Sequence, residues 1–256
     1  MPRHIFQTFF IGNICRITLK TKNWRDIIRA KITAMEEKGY FYMLKVVVFD
    51  CGYGGELFAD RLEDELPILD VIRVIDWRNA EQIQKSPRSA RKLAEQAIKP
   101  YLEKADLIII ANYLVSLTSL KYFQRKYKRQ LFLGLGLHHP CNFRPQTAIL
   151  TTKAVARTFA CKYFAHQIKA KAYCYDDWPI LIDDGELGHA KIRRDLSAAL
   201  SQKPTQLILA CSEFSDLAVE LRRVFGHNTK IIDNFDETIH DACQMLKVRG
   251  GLKKQK

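Results

Sequence analysis

The chain has 256 residues, 47% of them apolar, and a formal net charge of +13. That is enough for one large or two modest α/β cores, and no stretch approaches the roughly 20 consecutive apolar residues that a bilayer span needs. The seven cysteines form an odd set without a C-x-x-C pair, which speaks against a disulfide framework or a zinc knuckle and fits a cytoplasmic setting.

Residues 1–42 carry eight Lys/Arg against three Asp/Glu and read as an N-terminal extension, with Met43 as an alternative start. If the extension is genuine, Phe6, Phe9, Phe10 and Ile14 would cover part of a core. Trp24, Ile27 and Ile28 would line one face of an amphipathic helix. A secretory signal does not fit, because Gln7, Thr8 and Asn13 interrupt the apolar stretch after Arg3 and His4.

From Met43 onward, apolar strand patterns at 45–49, 68–75, 106–111, 131–137, 147–151, 206–210 and 230–232 alternate with helical ones. Such alternation predicts βαβ units and parallel sheets. The segment 87–102 predicts a helix with Ser86 as N-cap, Pro87 in the first turn, and Leu93, Ala94, Ala97, Ile98 and Tyr101 along one stripe. The segment 138–145 reads as a linker. Its His138, His139 and Cys141 lack a nearby carboxylate and adjacent histidines point apart, so no metal site is expected. In 121–129 cations interleave with aromatics. Without a nucleic-acid-binding signature this reads as the solvated face of a helix, with Tyr122, Phe123 and Tyr127 inward.

Two strand ends carry the chemistry. Val46 to Phe49 form an unbroken apolar strand that runs into Asp50-Cys51-Gly52-Tyr53-Gly54-Gly55, an acid and a thiol followed by a glycine-rich turn into a helix. Open α/β sheets bind ligands at such carboxyl ends. The spacing is not that of a dinucleotide-binding loop, and Asp50 would repel a pyrophosphate. Downstream, the strand 206–210 ends at Cys211-Ser212-Glu213, where a helix opens toward Leu217 and Leu221. A thiol at a helix N-terminus is expected to have a lowered pKa, which makes Cys211 the most reactive of the seven.

Phe49 to Gly55 resemble the Asp-Ser-Gly-x-Gly-Gly opening of the glutamate racemases that work without pyridoxal phosphate, and Leu209-Ala210-Cys211-Ser212-Glu213-Phe214 resemble their Gly-Cys-Thr-His-Tyr/Phe segment. Residues 105–111 fall where that family has the strand before Ala-Cys-Asn-Thr. Residues 151–158 look like its Ala-Thr-x-x-Thr-Val-x-Ser segment, and Ile231-Ile232-Asp233-Asn234 resemble its Val-Ile-Asp-Ser. The chain is thus similar to the aspartate/glutamate racemase superfamily. The resemblance implies an α/β protein of two similar lobes, each a parallel sheet flanked by helices, with the ligand cleft between them. The expected division is 43–140 with 213–256 for the first lobe, and 141–212 for a second, smaller one.

Racemisation in this family needs two thiols flanking the Cα of the substrate. Aligned without a gap, the first family cysteine falls at Asn112, Tyr113 and Leu114 replace the Asn-Thr pair after it, and Glu213 replaces the downstream His. Another family loop, which carries a Tyr-Gly pair, is replaced by residues 76–82. The resemblance therefore implies a racemase-type site with a degenerate dyad. Cys211 would transfer the proton, Cys51 or Asp50 would be its partner, and Asn112, Thr152, Ser212 and Glu213 would hold the substrate, an amino acid or related carboxylate. No cofactor, metal or membrane partner is implied, and a homodimer stays open. So do two alternatives to a racemase: a one-cysteine carbon-acid enzyme resembling a decarboxylase, and an inactive ligand-binding protein.

Overall fold

The computed structural model describes residues 43–137, 146–199 and 203–253. The extension 1–42, with Phe6 and Trp24, and the linker residues His138, His139 and Cys141 lie outside them. Among the described residues no helix is long and apolar enough to cross a membrane, and no cluster of His, Cys, Asp and Glu is suited to a metal ion.

The described residues form two four-stranded sheets, parallel throughout. The first contains β1 (Leu44–Asp50), β2 (Leu69–Ile75), β3 (Leu107–Ile110) and β4 (Phe132–Gly134), in the order β2-β1-β3-β4. The second contains β5 (Thr147–Thr151), β6 (Lys171–Cys174), β7 (Gln206–Ala210) and β8 (Lys230–Ile232), in the order β6-β5-β7-β8. All seven strand regions read from the sequence are present, with 131–137 shortened to three residues. The eighth, β6, is an edge strand without an apolar run. Val46 to Phe49 on β1 and Leu107 to Ile110 on β3 are fully buried, as central parallel strands covered on both faces must be. At about 1.5–3 kcal/mol per buried large apolar side chain, these strands are a principal source of the first lobe's stability.

Helices cover both sheets. The first lobe has α1 (Tyr53–Glu65), α2 (Ala80–Lys85), α3 (Pro87–Ile98) and α4 (Tyr113–Lys126). Ser86 caps α3 by accepting from the Ser89 N–H at 3.1 Å, and Pro87 occupies its first turn. The basic-aromatic segment packs α4 against α3. Phe123 is buried and stacks on Phe132, while Lys126 Nζ and Tyr127 OH both donate to Glu95 on α3, at 2.6 and 2.5 Å. The second lobe has α5 (Lys153–Ala156), α6 (Phe159–Gln167), α7 (Trp178–Asp183), α8 (His189–Ala199), a 3-10 helix at Ser212–Leu217, and α9 (Ala218–Phe225). Its core is anchored by fully buried Trp178, stacked on Tyr175 with centroids 4.1 Å apart and meeting the edge of Phe214.

The boundary expected at 213 needs correction. β8 hydrogen-bonds to β7 through the pairs Gln206–Lys230, Leu207–Ile231 and Ile208–Ile232, so the chain stays in the second sheet until Ile232 and the second lobe has as many strands as the first. Only then does α10 (Phe235–Lys253) return to the first lobe. Phe235 packs edge-on against Phe58 of α1 at 5.1 Å, and Arg61 of α1 bridges to Asp233 and Asp236. The physical reason is edge pairing: β7 would otherwise leave its ladder groups unpaired on that side.

Candidate functional site

Each sheet has one point where successive connections leave in opposite directions, between β1 and β3 in the first and between β5 and β7 in the second. Ligand sites of open parallel sheets lie just past the strand ends at such points. Asp50 and Cys51 at the end of β1 and Asn112 after β3 occupy the first. Thr152 after β5, with Cys211 and Ser212 after β7, occupy the second.

The two sets meet. Asp50, fully buried, accepts from the Cys51 N–H at 2.7 Å and from Asn112 Nδ2 at 3.0 Å on one oxygen. Its other oxygen lies 2.7 Å from Ser212 Oγ. Ser212 Oγ is also 3.2 Å from Glu213 Oε2, which accepts the Cys211 S–H at 2.9 Å. Asn112 Nδ2 lies 3.2 Å from Cys51 Sγ, so an unbroken series of polar contacts joins Cys51 to Cys211 through Asn112, Asp50, Ser212 and Glu213. The Asn112 carbonyl is occupied as well, capping α4 by accepting from the Val115 N–H at 3.1 Å.

Two buried carboxyls this close cannot both hold a charge easily. Burial first, then Glu213, pushes the Asp50 carboxyl up to about 8, so near neutrality Asp50 carries a proton. A protonated Asp50 can donate to Ser212 Oγ, whose own proton then goes to Glu213, and both contacts become hydrogen bonds at once. The same acids act on the sulfurs. Burial and then Asp50 hold the Cys51 thiol well above its ordinary value, and burial and then Glu213 do so for Cys211. This overturns the expectation of a reactive Cys211. The helix that follows it is a single six-residue 3-10 segment, and its dipole is outweighed by desolvation and a carboxylate at hydrogen-bond distance.

A cleft of about 1070 Å³ opens over this cluster, with Cys51, Gly52, Leu114, Thr152, Asp183 and Glu213 in its wall. Asp50, Asn112, Cys211 and Ser212 are not part of that wall and support it from behind. Thr152 is the N-cap of α5, accepting from the Val155 N–H at 3.5 Å. The positions of the family's Asn-Thr pair are otherwise engaged or apolar. Tyr113 OH donates to the Asp233 carbonyl at 3.2 Å and accepts from Asn234 Nδ2 at 2.9 Å, and Leu114 presents only carbon. Trp77, in the replaced loop, lines the cleft at 47% exposure.

Asp183 was not marked by the sequence. It ends α7 in the second lobe and accepts from the Tyr53 N–H at the start of α1 at 3.0 Å. Burial, then Glu213, raises its carboxyl to about 6. The contact partners lie 130 residues apart, and no local pattern around Trp178 to Asp184 announces it. Two glycines let the lobes come this close. A Cβ on Gly54 would collide with the backbone of Ser212 and Glu213, and one on Gly52 would collide with the Glu213 carboxylate.

No protein-family model and no curated protein matches the chain. Among solved structures it is similar to the glutamate racemase of Escherichia coli, determined with L-glutamate and an activator, at a TM-score of 0.73 and 18% identity over 80% of this chain and 83% of that one. It is similar to the glutamate racemase of Thermus thermophilus at a TM-score of 0.69 and 18% identity, covering 82% of each chain. With the aspartate racemase of Picrophilus torridus the TM-score is 0.51 and the identity 15%, over 81% of this chain and 94% of that one. At such identities the likeness speaks to architecture: the chain has the two-lobed fold of the glutamate and aspartate racemases.

Proposed function

We propose that this chain is a divergent member of the aspartate/glutamate racemase superfamily. Its cleft takes an amino acid or related carboxylate and exchanges a proton at the carbon next to the carboxylate, without pyridoxal phosphate. Cys211 is the proton-transfer group, with Cys51 or Asp50 as its partner; of these three only Cys51 lines the cleft, and Cys211, behind the wall, is joined to it through Glu213. The observation that carries this reading is the series of polar contacts between the two thiols through Asn112, Asp50, Ser212 and Glu213. A thiolate removes the Cα proton and leaves the electron pair delocalised into the carboxylate. A proton returned to the same face restores the substrate, and one delivered to the opposite face gives its enantiomer. Cys211 is held as a thiol in the free site, and Glu213, which accepts its S–H, is the base that would take that proton. Thr152 and Glu213 meet the substrate from the cleft wall, and Asn112 and Ser212 act through Asp50.

A second reading, a ligand-binding protein without turnover, is favoured by the upward shift of both thiols and by an amide at residue 112. One experiment separates the two. The full chain is incubated with D- and L-amino acids in deuterium oxide, and label at Cα is followed by proton NMR. Label in the opposite enantiomer supports two-faced transfer, and label with retention supports a single thiol. No label with any amino acid that binds leaves only the binding protein.

A further inference from the structure

From Leu107 to Tyr175 the chain has no Asp or Glu and eleven Lys or Arg, so most of its net charge of +13 resides in this stretch. Two of its helices combine cations with aromatic rings, and they use the rings in opposite ways. At the end of α4, Phe123 and Tyr127 turn inward to Phe132 and Glu95. On α6, Phe159, Lys162, Tyr163 and His166 follow the i, i+3, i+4, i+7 spacing that puts side chains on one helix face, and all four are exposed. The other face carries buried Cys161 and Phe164. The helix thus has its core contact already, and the outer stripe adds nothing to it.

Phe159 is 78% exposed and Tyr163 50%, and their rings stack on each other with centroids 6.0 Å apart and planes 20° from parallel. Two rings held out in water are apolar surface for a partner to cover. Arg157 before the helix and Lys169 after it continue the stripe as exposed cations. Neither they nor Lys162 form an ion pair among the described residues. The next acid along the chain, Asp176, is taken by Lys153 at 3.0 Å.

The charge decides between occupants. A second copy meeting this face by two-fold symmetry would set Lys162 and His166 against themselves with no acid between them. An interfacial membrane helix separates an apolar face from a cationic one, whereas rings and cations alternate here along one stripe. Such alternation matches a polymer in which flat bases alternate with phosphates. We infer that the outer stripe of α6, flanked by Arg157 and Lys169, is a docking surface for single-stranded nucleic acid. Phe159 and Tyr163 stack on bases, and the cations meet the backbone phosphates. Phe159, Lys162, Tyr163 and His166 lie outside the cleft wall, so this surface is independent of the chemistry proposed for the cleft.

The test is fluorescence anisotropy with the full chain and fluorescein-labelled oligo-dT and oligo-U of about 20 nucleotides, in about 50 and about 200 mM salt. Both oligomers are expected to bind, more weakly at the higher salt, and a duplex of the same length is expected to bind less well because paired bases offer no free face. Phe159→Ala combined with Tyr163→Ala should weaken binding by about tenfold or more, with the melting temperature of the free protein unchanged. Lys162→Gln and Lys169→Gln should each reduce the slope of log affinity against log salt by about 0.7. Lys230→Gln, at the opposite edge of the second sheet from the strand that follows α6, should leave it unchanged. No binding of either oligomer, equal affinity for the duplex, or indifference to loss of the two rings would overturn the proposal. Equal effects of Lys230→Gln and Lys162→Gln would reduce it to general basicity and overturn it too. Ring-dependent binding to phosphatidylserine vesicles in place of the oligomers would assign the surface to a membrane instead.

Discussion

Asp50 ends the first strand of one sheet and Ser212 follows the third strand of the other, and their side chains meet at 2.7 Å. The contact joins the lobes through a carboxyl whose burial raises it from 3.8 to about 8. The fold therefore favours the protonated form, and the stabilisation that comes with it is complete below about pH 4 and is lost as the pH rises through 8. Over that window Asp50 lowers stability with a limiting slope of about 1.4 kcal/mol per pH unit, and Asp183, raised to about 6, adds to it at the acid end. Asp50→Asn places an amide that accepts from Cys51 and Asn112 and donates to Ser212. Urea unfolding at about pH 5 and about pH 8 should show the variant near wild type at the lower pH and more stable at the higher one.

Thiol labelling reads the same field. Cys51, Cys161, Cys211 and Cys243 are buried, and Cys174 is partly exposed. Among the described cysteines, iodoacetamide at neutral pH should therefore modify Cys174 well before Cys51 or Cys211. Glu213→Gln removes a nearby negative charge and should speed the labelling of Cys211 relative to Cys174. Peptide mass spectrometry showing Cys211 modified first in the unaltered protein would contradict the shift assigned to it.

Restoring a cysteine at residue 112 should cost more than it returns. Asn112 caps α4 and donates to both Asp50 and Cys51. Asn112→Cys removes these bonds and is expected to lower stability by about 1–2 kcal/mol. Glutamate racemisation, followed by circular dichroism, should stay absent or very slow. Replacing Asn112, Tyr113 and Leu114 together by Cys, Asn and Thr should give more activity than the single change, although it also removes the Tyr113 bonds to Asp233 and Asn234.

By compactness the chain divides between Tyr42 and Met43. A chain starting at Met43 is expected to fold with a melting temperature within a few degrees of the full protein. A collapse in melting temperature or solubility would assign the Phe6, Phe9 and Phe10 cluster to the core.

Much of the architecture was legible because buried parallel strands are written as short apolar runs. Val46 to Phe49, Leu107 to Ile110 and Leu207 to Ala210 are read directly from composition, and the residues after them fall at the ligand-binding ends. The edge strand Lys171–Cys174 lacks that signature, since an edge need not be apolar. The assignment of residues 213–232 failed for a related reason: nothing local says which sheet a three-residue strand such as β8 will join. The electrostatics were the least legible. Position after a strand pointed to a reactive Cys211, whereas its actual state is set by Glu213 two residues on and by burial that only the assembled lobes create. Asp183 reaches the site from 130 residues beyond its partner, a distance over which no sequence pattern extends.

The absent side chain at Gly54 also governs motion. There the start of α1 lies against the backbone of Ser212 and Glu213 with no room for a methyl group, and the Asp50–Ser212 bond is close by in the chain. The two sheets are thus pressed together at the inner end of the cleft, while Trp77 and Ile180 at its wall are 47% and 63% exposed. Any breathing of the lobes must pivot about this inner joint, as jaws do about a hinge pin. Opening widens the mouth while the acids and thiols at the joint hold their spacing.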